Sequence, residues 1–322
     1  MQRDLNNCSI GITGLGLMGG AIALALRDKC NIPVQNIFAC DKDNNILDAA
    51  QKEGLIGRGW FADNAGEMLS NCDIVFLCMN PSTILNFLAR WESSFKSGCL
   101  ITDIAGTKGS IAAAAEKIRE DVDFIPGHPM AGSHIRAGKS SGDVKNQFQQ
   151  AEFIKTEPGK TEFLQNPFAN SAFCDFSGKN YILTPISRNK PENLIFLKEL
   201  ISRMGFARIT EVTPQEHDNK IAFTSQLCHV IAASLVDCEP DTEITRFGGG
   251  SFEDLTRIAM LNAPMWTELF VENSAMLLDR INQFEKSLNT YKFLISGANT
   301  QELEKRLTQV KDRRSEMANT KK

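Results

Sequence analysis

No Cys-x-x-Cys pair occurs in the sequence, and its nine cysteines are an odd, scattered set running from Cys8 to Cys238. A closed disulfide framework is poorly served by that pattern. Cys40 and Cys78 fall inside apolar runs, where a free thiol acts as a small hydrophobe. The expectation is a reducing, cytoplasmic setting with no metal centre. Long apolar runs are also missing. None approaches the roughly 20 residues that span a bilayer, and Met1-Gln-Arg-Asp-Leu-Asn-Asn lacks the apolar core of a secretory signal. No membrane partner is expected. Nor is there an excess of positive charge: a net charge of −4 offers nucleic acid no general attraction. A few local Arg or Lys side chains suffice to hold a small anion. Internal repeats are absent. What remains is an ordinary globular composition, and 322 residues are enough for two domains.

The first part of the chain alternates short apolar runs with helical stretches. Strands are predicted at Ser9–Thr13, Asn36–Cys40, Ile74–Met79, Leu100–Ile104, Phe124–Pro126 and Asn180–Leu183, with Arg208–Val212 closing the domain. Such runs, bounded by Gly, Asp and Asn and separated by helices, predict a parallel sheet covered on both faces. The second part reads as helix. Thr213-Pro214-Gln215-Glu216 is a capping-box start with proline at the first helical position. That helix is expected to run to about Val236. Another begins at Ser251-Phe252-Glu253-Asp254. A third is expected to run from Pro264 to about Ile295, because Trp266, Leu269, Phe270, Leu277, Ile281, Phe284, Leu288 and Tyr291 recur at three and four. Its length suits a subunit interface. The division expected is 1–213 and 214–322. Residues 139–178 are polar yet carry six phenylalanines, and read as a surface excursion packing on its own aromatics or as a lid or partner-binding segment.

Gly14-Leu15-Gly16-Leu17-Met18-Gly19 fits G-x-G-x-x-G between a strand and a helix. Gly14 permits the turn, Gly16 lets backbone approach a pyrophosphate at the helix N-terminus, and Gly19 lets helix and strand pack closely. Asp41 ends the next strand, 22 residues after Gly19. A carboxylate there binds ribose hydroxyls and repels a 2′-phosphate. The cofactor expected is NAD, in a Rossmann-type domain. Lys42, beside Asp41, leaves NADP as an alternative.

Three segments sit where an open α/β sheet binds ligands: Met79–Ser82, Asp103–Gly109 and Gly127–His134. His128, between Gly127 and Pro129, is read as a catalytic histidine on a short rigid loop. On the helix after Pro214, Asp218, Ala222, Ser225 and His229 fall near one face. His229 is read as a pocket residue, with a hydrogen-bonded core histidine as the alternative. His217 is read as structural. Asp254 and Arg257 lie three apart. Asp254 has a ready role as the last residue of a Ser-x-x-Asp capping box, and Arg257 as its ion-pair partner. Otherwise Arg257 grips a carboxylate bidentately.

The set GLGLMGG, DIAGTKG, GHPMAGS, NYILTP, EHDNKIAFTSQLCH, FGGGSFEDLTRIA, the Trp of NAPMWTELFVEN, and FEKSLN resembles the prephenate dehydrogenase family from about residue 9 to about 295. The resemblance implies an α/β Rossmann-type N-terminal domain followed by an all-α C-terminal dimerisation domain, and hence a homodimer. It implies oxidative decarboxylation of prephenate to 4-hydroxyphenylpyruvate with reduction of NAD, a step of tyrosine biosynthesis. By the same resemblance His128 binds the C4 hydroxyl, His229 lines the substrate pocket and Arg257 binds a substrate carboxylate. Asp254 supports the site, Trp266 lies near it, and Ser133 faces the pocket. Two positions depart from the family pattern. Gly106 stands where many relatives have Ser, so Thr107 or a water would take that hydroxyl's place. Gln226 stands where many have His. The stretch after Ile295 is too short for the tyrosine-sensing domain some relatives carry, so no such domain is expected. Arogenate dehydrogenase, a β-hydroxyacid dehydrogenase and a non-catalytic NAD-sensing module are the alternatives.

Overall fold

The computed structural model describes residues 5–131 and 176–319. Ser133 and most of the 139–178 segment lie outside the described residues. The chain divides into two compact units, Met1–Asp218 and Asn219–Lys322.

The first unit is built on six parallel strands in the order β3-β2-β1-β4-β5-β6. These are β1 Ile10–Thr13, β2 Ile37–Asp41, β3 Arg58–Phe61, β4 Ile74–Leu77, β5 Leu100–Asp103 and β6 Asp123–Phe124. Every residue of β1, β4 and β5 is buried, as a sheet covered by helices on both faces requires. Ile10 pairs with Ile37 on one side and Ile74 on the other. The strand order therefore reverses at β1, which opens a crevice at the carboxyl ends of β1 and β4. The helices are α1 Leu17–Asp28, α2 Asn44–Lys52, α3 Ala65–Leu69, α4 Pro81–Trp91 and α5 Gly109–Lys117.

β3 has no counterpart among the predicted strands. It is an edge strand with one buried residue, Trp60, and so lacks both an apolar run and alternation.

A second, three-stranded sheet has the order β7-β8-β9: Gly127–Pro129, Asn180–Leu183 and Arg208–Glu211. β7 runs antiparallel to β8, with His128 opposite Ile182. β8 runs parallel to β9 through the crossover helix α6 Pro191–Arg203. Tyr181 and Leu183 of this sheet and Leu197, Leu200 and Ile201 of α6 share a core with Ile10, Ile12 and Ile22. His128 thus lies on a strand rather than on the expected loop. Three residues carry no detectable period, and the pairing that makes them a strand comes from a segment some fifty positions away.

Helix α7 Pro214–Ile221 starts as expected, with the Glu216 N–H donating to Thr213 Oγ1 at 3.1 Å. Residues Ala222–Gln226 form a π turn, and α8 continues the chain as Leu227–Asp237. The second unit goes on with α9 Gly250–Thr256, α10 Ala263–Glu272, α11 Ser274–Ser296 and α12 Thr300–Asn319. The single helix expected from Pro264 to Ile295 is broken at Asn273, which adopts φ −105° and ψ 24°. Its buried side chain donates to Gln226 Oε1 at 2.8 Å, and Gln226 Nε2 donates to the Leu269 carbonyl at 2.8 Å. Apolar periodicity runs straight through this break, so only the amide pair reveals it. Among the described residues no helix is long and apolar enough to cross a membrane.

Candidate active site

The glycine loop has the geometry its spacing predicts. Gly14 sits at φ +86°, where a Cβ would also meet the Cys78 carbonyl oxygen at 2.6 Å. A Cβ on Gly19 would lie 1.9 Å from the Gly14 carbonyl oxygen, so α1 packs on β1 only because that side chain is missing. Gly16 caps α1, and a Cβ there would meet nothing within 4 Å. Leu17 and Met18 begin the helix itself. Asp41 ends β2 beside the loop. Its Oδ2 accepts the Leu15 N–H at 2.7 Å and its Oδ1 accepts the Asp43 N–H at 3.0 Å. Each carboxylate oxygen keeps a further lone pair for a ligand hydroxyl. An open approach at Gly16, the N–H groups of a helix start and a fixed carboxylate together fit a dinucleotide's pyrophosphate and ribose.

At the carboxyl end of β5 lies a fully buried ion pair, Asp103 with Lys108. Asp103 also accepts the Ala105 N–H at 2.8 Å and the Gly127 N–H at 3.0 Å. The second of these ties β7 to the end of β5. Thr107 in the same loop is buried, and Gly106 is half-exposed. His128, one residue on from Gly127, is half-buried, and its Nδ1 lies 2.9 Å from Nε2 of His217. The two rings are 5.1 Å apart between centroids. Nδ1 of His217 is 2.7 Å from Asp218 Oδ1. Asp218 in turn accepts the Lys108 N–H on Oδ1 and the Gly109 N–H on Oδ2, both at 2.8 Å. Burial holds the His128 pKa well below the usual histidine value, and His217 and the Lys108 ammonium push it the same way. Burial also lowers that of His217, against the opposing hydrogen bond to Asp218. His217, read from sequence as structural, is thus in direct contact with His128. The two are 89 residues apart, and no local pattern marks the pairing.

In the second unit, His229 donates from Nδ1 to the Ser225 carbonyl at 2.9 Å. Its ring lies 3.7 Å from that of Trp266 between centroids, and Trp266 packs on Phe270. Burial lowers the His229 pKa, and the nearby Arg257 adds to the effect. Arg257 comes directly after α9, and its side chain is exposed. Helix α9 begins at Gly250 with Gly249 as its N-cap and no side-chain cap. Ser251 is therefore inside the helix, and Asp254 completes no capping box. Asp254 is exposed, and no ion pair joins it to Arg257 among the salt bridges of the described residues. The face assigned to Asp218, Ala222, Ser225 and His229 is also altered. The π turn at Ala222–Gln226 interrupts the α-helical period on which that face was counted.

A doubly wound parallel sheet with this glycine loop, joined to a unit made of helices, defines a nucleotide-dependent oxidoreductase. The sequence matches the family model for "Prephenate dehydrogenase, nucleotide-binding domain" over residues 22–166, and that for "Prephenate dehydrogenase, dimerization domain" over 213–309. Prephenate dehydrogenase of Bacillus subtilis (strain 168) is 28% identical over 95% of this chain and 75% of its own length. Cyclohexadienyl dehydrogenase of Zymomonas mobilis is 25% identical over 89% of this chain and 88% of its own length. Prephenate dehydrogenase from A. aeolicus, solved in complex with hydroxyphenyl propionate and NAD+, superposes with a TM-score of 0.76 at 26% identity, covering 98% of this chain and all of that one. The chain belongs to the prephenate dehydrogenase family.

Proposed function

We propose that the chain oxidises prephenate to 4-hydroxyphenylpyruvate with loss of carbon dioxide, and that its cofactor is NAD. Residues 1–213 form the cofactor domain, and 214–322 the substrate and dimerisation domain. The observation that carries this reading is His128: a half-buried imidazole kept neutral and hydrogen-bonded through Nδ1 to His217, beside the carboxyl end of β5 in a nucleotide-binding unit. When bound, NAD would supply the acceptor for the hydride that leaves C4. Gly14 to Gly19 and the start of α1 hold the pyrophosphate. Asp41 accepts from the ribose hydroxyls, and its charge repels the 2′-phosphate of NADP.

His128 accepts the hydrogen bond of the C4 hydroxyl on Nε2. It draws that proton as the C4–H bond breaks with its electron pair, and gives it back as the phenol forms. The bond from the ring to its carboxylate breaks with its pair retained by the ring, and carbon dioxide leaves. No net proton is gained or lost at His128. Arg257 binds a substrate carboxylate, and Asp254 is assigned to the substrate site beside it in sequence. His229, with its Nδ1 proton fixed by Ser225, presents Nε2 as an acceptor and is kept in place by Trp266. Thr107 and Ser133 are the hydroxyl groups assigned to the substrate side.

The protein works as a homodimer. In the second unit Val271, Leu278, Leu288, Phe293 and Ile295 are all exposed, more apolar surface than a monomer's helices ordinarily present to water. A cytoplasmic setting accords with the free thiols among the described residues, of which buried Cys40 has its pKa pushed up to about 12. The test is product analysis with NAD+ and prephenate. Equal amounts of NADH, carbon dioxide and 4-hydroxyphenylpyruvate are expected. A protein that binds NAD yet yields none of them removes the reading.

A further inference from the structure

The chain Asp218–His217–His128 has more geometry than proton transfer at the C4 hydroxyl requires. A carboxylate can only accept hydrogen bonds. Asp218 already accepts two backbone N–H groups, from Lys108 and Gly109, so the nitrogen facing it, Nδ1 of His217, carries a proton. In a neutral ring the other nitrogen is then a bare lone pair. Nε2 of His217, 2.9 Å from Nδ1 of His128, is therefore an acceptor, and Nδ1 of His128 must donate to it. That leaves Nε2 of His128 without a proton, which is the form a proton acceptor needs. We infer that His217 is a positioning residue for the dehydrogenase reaction: through Asp218 it fixes the tautomer and ring orientation of His128, so that Nε2 is presented as the base. The inference rests on the assignment of His128 as the group that binds the hydroxyl.

The surroundings agree. His217 is fully buried, with its Nδ1 and Nε2 engaged on either side, so it is not itself open to substrate. The charged groups around the two rings come from three elements: Asp218 on α7, Lys108 at the start of α5 and Asp103 at the end of β5. Tyr181 of β8 also reaches this corner, its hydroxyl 3.4 Å from the Asp103 carbonyl. The Lys108 ammonium is neutralised by Asp103, yet it still disfavours a second positive charge on either imidazole. Asp218 is held by the N-terminus of α5, so the carboxylate at the far end of the relay cannot turn away. The logic is that of a carboxylate orienting a catalytic imidazole, with one further imidazole interposed.

Two measurements test the inference, and one of them is independent of turnover. In the full-length protein labelled with 15N, the four histidines are assigned by single substitutions and their ring nitrogens read by NMR near neutral pH. His128 is expected to show a protonated Nδ1 and an unprotonated Nε2. A proton on Nε2 of His128 overturns the relay, whatever the activity. In the kinetic arm, His217→Phe removes the acceptor and is expected to lower kcat roughly 100-fold. KM for prephenate and Kd for NAD should change by less than about threefold. His217→Gln supplies an amide oxygen to accept from Nδ1 of His128, and is expected to recover most of the loss. Wild-type kcat in His217→Phe contradicts the inference. So does a folded, NAD-binding His217→Gln enzyme no faster than the Phe variant. Failure of the underlying reading looks different: His128→Asn would retain activity while the NMR result stood.

Discussion

His128 is kept in its basic form by its neighbours, and that has a sign that can be measured. Burial, His217 and Lys108 all press its pKa below the ordinary 6.5. A group that acts unprotonated loses function as pH falls through its own pKa. The acid limb of kcat/KM is therefore expected below pH 6.5, with no loss from this group as pH rises above it. A limb at or above that value would contradict the assignment. His128→Asn should cut kcat by roughly 100- to 10,000-fold while NAD affinity, read by titration, is unchanged. Asp41→Ala should relax the preference for NAD over NADP, read as the ratio of the two kcat/KM values. An unchanged ratio would mean that another group reads the ribose. At this scale the sequence was informative where chemistry is local. The turn at Gly14, the close packing at Gly19 and the Asp41 carboxylate beside them follow from spacing, and His128 is singled out by Gly127 and Pro129. His217 and Lys108 do not, because each gains its meaning from a partner brought in by the fold.

Among the elements, legibility tracks burial. β1, β4 and β5 are buried along their whole length and read as apolar runs bounded by polar residues. β3 is an edge strand with one buried residue, and β7 is three residues long. Neither has a period to read. The break at Asn273 and the π turn at Ala222–Gln226 are similarly silent, because apolar positions recur across both. The two places meet in one buried amide pair, Gln226 with Asn273, closed by the Leu269 carbonyl. Gln226→Leu leaves a buried donor and a buried carbonyl without that partner, a loss of about 1–3 kcal/mol in denaturant unfolding. Replacing both amides together, Gln226→Leu with Asn273→Leu, should cost less than the sum of the single changes. Simple additivity would show that the pair is not coupled.

The chain joins a nucleotide-binding unit to a helical one that leaves several large apolar side chains exposed. Phe293, for example, is 73% exposed on α11, and α12 contributes no buried residue. A dimer is expected by light scattering at micromolar concentration. Leu288→Asp and Phe293→Asp together should shift it toward monomer, since two charges on an apolar interface are costly to bury. A wild-type monomer at that concentration would count against the second unit as a dimerisation domain.

This family member is proposed to act on prephenate with NAD. The most direct test is the rate of NADH formation by the purified protein, with NAD+ and either prephenate or arogenate, compared as kcat/KM. Robust turnover is expected, with prephenate the preferred substrate. Preference for arogenate would keep the fold and chemistry but contradict the substrate assignment, and turnover of neither would contradict the function itself.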